Sequence, residues 1–275
     1  MSAINVNNKL SVLDIAARKG GEPVVCLTAY SGNMAEMLDE HVDVLLVGDS
    51  VGMVLYGMES TLGVSLDTMI NHGKAVAAAA KHALVVIDMP FGSYQESPAQ
   101  AFRNCAKVLG DTGAAAIKLE GGVEMAPTIK FLVERGVPVM AHIGLKPQSM
   151  NTHGGFKAQG RDQDQWDSFI ADGIAVADAG AFATVIESVA EPLAKKITET
   201  VENVTIGIGA SKHCDGQIVV SEDMLGFNVW SPKFVKRYAD VAGVITGAVE
   251  NYAKDVKSRN FPNPENTFTM KIKKD

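Results

Sequence analysis

Eight short stretches of the chain are almost continuously apolar: VVCLTAY (24–30), VDVLLVGD (42–49), ALVVIDMP (83–90), AAIKLEGG (115–122), VPVMAHIG (137–144), FATVIESV (182–189), VTIGIGA (204–210) and GQIVVSED (216–223). A strand with one wet face alternates apolar and polar residues. A strand buried on both faces does not, so these runs predict a parallel sheet. Between most of them the apolar positions recur at helical spacing. In SPAQAFRNCAKVLGDTG, Ser97 reads as an N-cap and Pro98 as the first helical residue, with Phe102, Cys105, Ala106 and Leu109 on one face. EMAPTIKFLVERG puts Met125, Ile129, Leu132 and Val133 on a stripe and stops at Gly136. DQWDSFIADGIAVADAG groups Trp166, Phe169, Ile170 and Ile174 and stops at Gly180. A glycine after a helix, followed by an apolar run, is the expected helix-to-strand junction.

Strands alternating with helices in a chain of this length predict a single (β/α)8 barrel domain of the TIM type over residues 1–275. It would end in a C-terminal helix and tail from about 231 to 275, proline-interrupted from residue 260 and able to dock on a neighbour. A doubly wound open sheet is the alternative. It would be favoured by G-x-G-x-x-G after the first strand, and the sequence has none there. The gap between the seventh and eighth runs is too short for a full helix. The segment 143–165 is long for a loop and holds Gly154, Gly155, Gly160, Lys157 and Arg161, which suit a lid or an anion contact.

The net charge of −7 argues against a nucleic-acid surface, which needs clustered Lys and Arg. The three cysteines, Cys26, Cys105 and Cys214, are too few and too widely spaced for a disulfide framework or a zinc site. Cys26 and Cys105 sit in apolar settings and read as small core residues in a reducing compartment. The start, MSAINVNNKL, has no apolar signal core, and no apolar run reaches the ~20 residues of a membrane span, so the expected location is the cytoplasm.

In a barrel of this kind chemistry gathers at the C-terminal ends of the strands. There the second run carries Asp49 and Ser50, the third Asp88, the fourth Lys118 and Glu120, the fifth His142 and the sixth Glu187. Four carboxylates at one mouth would repel one another unless a cation resolved them, and an all-oxygen set suits Mg²⁺ or Mn²⁺. Lys118 and Glu120, two apart, point the same way on a strand. His142 is either a histidine satisfied inside the barrel or a substrate contact.

One motif points elsewhere. Gly48-Asp49-Ser50-Val51-Gly52 matches G-x-S-x-G, the turn that carries a nucleophilic serine in α/β hydrolases. That fold needs an oxyanion loop before the serine and an acid and histidine after it in order. HGG occurs only downstream, at 153–155, and the histidines lack the setting. The hydrolase reading fails.

The motifs VGDSVGMVLYGMEST, VVIDMPFGSY, AIKLEGG, PVMAHIGLKPQSMNTHGGFKAQGR, VIESV, IGIGA and CDGQIVV, in this order, resemble the ketopantoate hydroxymethyltransferase family from about residue 10 to 265. The resemblance implies a barrel of the phosphoenolpyruvate/pyruvate-like superfamily. It implies transfer of a hydroxymethyl group from 5,10-methylenetetrahydrofolate to 3-methyl-2-oxobutanoate, the first committed step of pantothenate and coenzyme A synthesis, with Mg²⁺ as cofactor and assembly as a homodecamer. It assigns the metal to Asp49, Asp88 and Glu120, and the catalytic base to Glu187. Substrate binding falls on Asp49, Ser50, Asp88, Lys118 and His142, with Ser50 a donor rather than a nucleophile. The chain departs from the family where GIGA is followed by Ser211-Lys212 instead of Gly-Asn, which puts an extra side chain and a charge in the loop after the seventh strand.

Two other functions compete. A lyase of the isocitrate lyase/phosphoenolpyruvate mutase type would carry a catalytic cysteine in the loop after a middle strand, and HGGFKAQGR has none. A barrel that binds a keto acid without turning it over would bind metal and ligand only.

Overall fold

The computed structural model describes residues 9–153, 155, 157–228 and 230–270. All eight apolar runs are strands: β1 (Val24–Thr28), β2 (Val44–Val47), β3 (Leu84–Asp88), β4 (Ala116–Glu120), β5 (Val139–Gly144), β6 (Ala183–Glu187), β7 (Val204–Ile208) and β8 (Gly216–Val219). Each pairs in parallel with its chain neighbour, and β8 pairs with β1 to close the barrel. Closure does not need a helix between β7 and β8; a turn over 209–215 suffices.

The barrel interior is filled by alternate residues of the strands. Val24 and Cys26, Val44 and Leu46, Leu84 and Val86, Ala116, Met140, Ala183 and Val185, and Val204 and Ile206 form one buried cluster. Ile15, on the helix Val12–Ala16, joins that cluster. A strand repeats every two residues, so the next inward positions are Asp88 on β3, Lys118 and Glu120 on β4, His142 on β5 and Glu187 on β6. The apolar core and the polar mouth are thus two levels of one inward face. Cys26, Cys105 and Cys214 are buried free thiols.

The helices form where the spacing placed them, but their buried faces differ in detail. Ser97 caps the helix Pro98–Thr112 by accepting the Gln100 N–H at 3.2 Å, and Gly113 ends it at φ 72°. The buried stripe is Ala101, Cys105, Val108 and Thr112; Ala106 is exposed. Phe102 is turned aside to meet the Phe131 ring of the helix Ala126–Val133, edge-on at 6.4 Å. That helix buries Ile129 and Leu132 as expected. The helix Trp166–Asp178 buries Gly173 and Val176, while Ile174 is 38% exposed. A Cβ on Gly173 would lie 2.9 Å from Ile197, so the contact is made by the one residue with no side chain. Hydrophobicity alone misses such a contact.

β2 ends at Val47, two residues earlier than the apolar run suggests. Gly48, Asp49 and Ser50 form a turn, held by the Val51 N–H on the Gly48 carbonyl at 3.1 Å, and Ser50 opens the helix Val51–Val54. The described residues of the loop 143–165 are structured. The loop contains the turns Pro147–Ser149 and Gln163–Gln165 and the helix Met150–His153, and Gln159 pairs with Val189 beyond β6. Lys157 and Arg161 are exposed; Gly154 lies outside the described residues.

By internal contacts the chain divides into two compact units, Met1–Ser221, which holds the barrel, and Glu222–Asp275. The second unit contains the helix Val241–Lys257, capped by Asp240, with no buried residue. Among the described residues no helix is long and apolar enough to cross a membrane.

Candidate active site

Strand register sets the first contacts of the site. Asp88 stands beside Lys118, and Glu120 beside His142. The Lys118 ammonium lies 2.6 Å from Asp88 Oδ1, both side chains about 5% exposed or less. Its Nζ is also 3.3 Å from His142 Nδ1. On the far side of the ring, His142 Nε2 is 3.3 Å from Glu187 Oε2, and Nδ1 is 3.7 Å from Glu120 Oε1. Lys118, His142 and Glu187 therefore form a row across the mouth. Glu187 ends that row at 18% side-chain exposure, against 3–5% for the other members.

Asp49 joins from the turn after β2. Its backbone N–H donates to Asp88 Oδ2 at 3.1 Å. Gly48 leaves room for Ser50: a Cβ there would sit 2.7 Å from Ser50 Oγ, while Asp88 Oδ2 at 3.5 Å would be in ordinary contact. Ser50 Oγ shares a hydrogen bond of 2.7 Å with the Tyr30 hydroxyl, beyond the end of β1. Glu187 is held from behind. The Leu145 N–H donates to the Glu187 carbonyl at 2.9 Å, and Gly144, at φ 90°, makes room for it, since a Cβ would meet that carbonyl at 2.5 Å. Ser188, the next residue, is left-handed at φ 49°, with its N–H on the Ile208 carbonyl.

Electrostatics follow from burial. Burial pushes the Asp49 carboxyl up to about 7, and the charge of Asp88 adds to the rise, against Lys118 and hydrogen bonds from Gln148 and Thr61. Burial, then the charge of Asp49, also holds Glu120 well above the usual carboxylate range. Burial opposes the charge on Lys118, but Asp88, Glu120 and Asp49 outweigh it and keep the ammonium above its ordinary value. Burial and the nearby ammonium hold His142 below the ordinary histidine value, so its ring is neutral.

Three carboxylates, Asp49 from the turn after β2 and Asp88 and Glu120 from the ends of β3 and β4, against one ammonium make a site with excess negative charge and oxygen donors, which fits a hard divalent cation. Among the described residues no three His, Cys, Asp or Glu side chains are placed so that together they could hold a metal ion as they stand. The carboxylates are instead spaced by partners of their own, Lys118 on Asp88 and Gln148 on both Asp49 and Glu120.

All seven residues singled out from the sequence lie at this mouth. The sequence reading missed three others: Tyr30, Tyr94 and Gln148. Tyr94 is buried and its hydroxyl accepts the Glu120 N–H at 3.0 Å. Gln148, 5% exposed, bonds Asp49 and Glu120 directly. Both follow strand ends, in GSYQE and LKPQS, where a polar residue reads as solvated loop. The loop after β7 carries Ser211 buried rather than crowded: its hydroxyl donates to Glu191 Oε1 at 2.8 Å and accepts the His213 N–H at 3.1 Å.

The comparisons with known proteins follow the same lines. The chain is 58% identical over 266 residues to the 3-methyl-2-oxobutanoate hydroxymethyltransferase of Rhodospirillum rubrum, covering 96% of each chain. To the protein of that name in a Ruegeria species it is 59% identical over 269 residues, covering 98% of this chain and 96% of the other. Among solved structures, a 2,3-dimethylmalate lyase of the PEP mutase/isocitrate lyase superfamily shares the fold with a TM-score of 0.57 at 15% identity, over 94% of this chain and 89% of the other. The sequence model of ketopantoate hydroxymethyltransferase matches residues 9–264, and the chain belongs to that family.

Proposed function

We propose that this chain transfers a hydroxymethyl group from 5,10-methylenetetrahydrofolate to 3-methyl-2-oxobutanoate, giving ketopantoate on the route to pantothenate and coenzyme A. The observation that carries the reading is the row Lys118–His142–Glu187, which ends in the more exposed carboxylate, Glu187, at a mouth that also holds three buried ones. Asp49, Asp88 and Glu120 hold the divalent cation, Mg²⁺. When bound, that ion would supply Lewis-acid stabilisation of the negative charge that the 2-oxo acid develops on losing a proton.

The chain's own residues do the rest. Lys118 supplies a fixed positive charge for the substrate carboxylate, and Asp49 and Asp88 stand at the same mouth. Tyr30 can donate to Ser50, which leaves the Ser50 hydroxyl free to donate to substrate. Glu187 takes the proton from C3, and C3 bonds to the one-carbon unit as the two carbon–nitrogen bonds that held it to the folate break; water supplies the hydroxyl oxygen, and the two folate nitrogens take up the C3 proton and a proton of that water. His142 contacts the substrate and orients Glu187. Carbon–carbon bond formation needs no cysteine, and the cysteine-dependent lyase alternative has none in 143–165 to use.

The chain works as a homodecamer in the cytoplasm, without nucleic acid or membrane. Support for assembly comes from the helix Val241–Lys257, which leaves Val244, Ile245, Val249 and Tyr252 exposed in the single chain. Two measurements test the reaction: ketopantoate formation from both substrates with Mg²⁺, and exchange of the C3 proton into deuterated water without folate. Folded protein that does neither would rule the proposal out.

A further inference from the structure

Gln148 is the most heavily bonded side chain at the mouth, and the roles proposed above leave it unused. Its Nε2 donates to Asp49 Oδ2 at 2.9 Å and to the Met89 carbonyl, just past β3, at 2.9 Å. Its Oε1 accepts from the Tyr94 hydroxyl at 2.7 Å and from Gln95 Nε2 at 3.0 Å. Its backbone N–H donates to Glu120 Oε2 at 3.1 Å. Both amide protons and both amide lone pairs are therefore used.

The orientation of this amide is fixed by its neighbours. The Met89 carbonyl can only accept, so the NH₂ end must face it. Gln95 Oε1 accepts the Gly92 N–H at 2.8 Å, which turns the Gln95 NH₂ toward Gln148 Oε1. Tyr94 ties the network to β4 a second time by accepting the Glu120 N–H. One loop residue thus links the ends of β2, β3 and β4, the three strands whose carboxylates face the mouth. It occupies one oxygen each of Asp49 and Glu120 and leaves Asp49 Oδ1 and Glu120 Oε1 unbonded by it. A buried network satisfied at every atom is rigid, because any rotation leaves a polar group unpaired.

We propose that Gln148, locked by Tyr94, is the positioning residue that sets the spacing and orientation of Asp49 and Glu120 for a divalent cation. This rests on the cation reading of the site given above. Outer partners of this kind change metal affinity by roughly 10–100-fold when removed. A residue that merely filled space under the loop would affect unfolding and leave cation affinity alone.

The test is Mn²⁺ titration of the full chain, followed by the loss of free-ion electron paramagnetic resonance signal, for wild type, Gln148→Met and Tyr94→Phe. Methionine keeps the length of the side chain and removes its four side-chain bonds, the one to Asp49 among them, while the backbone N–H bond to Glu120 stays. Gln148→Met is expected to weaken Mn²⁺ binding by about 10-fold or more. Tyr94→Phe keeps the Gln148 amide but loosens its hold, and is expected to weaken binding in the same direction by less. Affinity within about twofold of wild type in a folded Gln148→Met protein overturns the proposal. If that variant does not fold, an unchanged affinity in Tyr94→Phe overturns it. Wild-type protein that binds Mn²⁺ but makes no ketopantoate would remove the proposed reaction and leave the role of Gln148 standing on the affinities.

Discussion

Lys118 Nζ lies 3.3 Å from His142 Nδ1 inside the barrel, and this one contact fixes the tautomer of the ring. An ammonium can only donate, so Nδ1 accepts and the single ring proton sits on Nε2, the nitrogen 3.3 Å from Glu187 Oε2. The proton then sits on the ring nitrogen nearest the carboxylate proposed as base.

Histidine nitrogen shifts in ¹⁵N-labelled protein report this directly. His142 is expected to show the Nε2–H pattern and to stay neutral as the pH is lowered past 6.5, because burial and Lys118 hold its pKa below that ordinary value. An Nδ1–H pattern, or titration above 6.5, would contradict the arrangement. In Lys118→Met the ring loses its directing donor and its nearest positive charge. Its pKa should rise toward the ordinary value, and the two tautomers should mix.

Asp49 makes the cation-free protein lose stability as pH rises. Its folded pKa of about 7 lies above the ordinary 3.8. Folding therefore favours the protonated form, and this contribution is fully present below 3.8 and lost as pH rises through 7. Between pH 5 and 8, in chelator, the loss from this group is on the order of 2–3 kcal/mol. Urea unfolding of wild type and Asp49→Asn at the two pH values isolates it, since the variant lacks the titration. Millimolar Mg²⁺ at pH 8 should restore stability to wild type by binding only the folded state, and do much less for Asp49→Asn. Equal pH dependence in the two proteins would refute the assignment.

Glu187→Gln separates proton removal from cation binding. The amide is close in shape and cannot take a proton, so C3 exchange and ketopantoate formation should fall about 10²–10⁴-fold. Glu187 does not touch Gln148, Asp49 or Asp88 through any hydrogen bond described above, so Mn²⁺ affinity should hold. Exchange at the wild-type rate would move the base elsewhere in the mouth.

The barrel was legible because its strands are buried on both faces and so interrupt the helical spacing with unbroken apolar runs. The site was legible for a related reason. Charged residues at the ends of such runs, as in VVID, AIKLE and VIE, have no apolar explanation. Helix faces were less clear where a glycine makes the contact, as at Gly173, or where an aromatic ring packs sideways, as at Phe102. Gln148 was invisible for a different reason. Its importance comes from Asp49, 99 residues away in the chain, and from the loop folding back over the mouth. A neutral amide in a loop carries no local sign of that.

Ser211 decides whether the departure from Gly-Asn in the loop after β7 disturbs the site. The residue is not among those held at positive φ, so the backbone there does not require glycine. Its hydroxyl instead joins Glu191, in the first turn of the helix Glu191–Thr200, to the His213 N–H, and its carbonyl accepts from Gln217 Nε2 at 2.8 Å. Ser211→Gly removes the two hydroxyl bonds at a buried position and adds backbone freedom to the unfolded chain. The expected cost is about 1–3 kcal/mol, or a fall in melting temperature of roughly 2–8 °C for a chain of this size. The KM for methylenetetrahydrofolate should stay within about twofold, because the hydroxyl faces Glu191 and the loop itself and makes no bond to Asp49, Asp88, Lys118 or Glu187. If the glycine variant instead keeps its melting temperature and binds folate more tightly, the serine side chain is obstructing the co-substrate rather than bracing the loop.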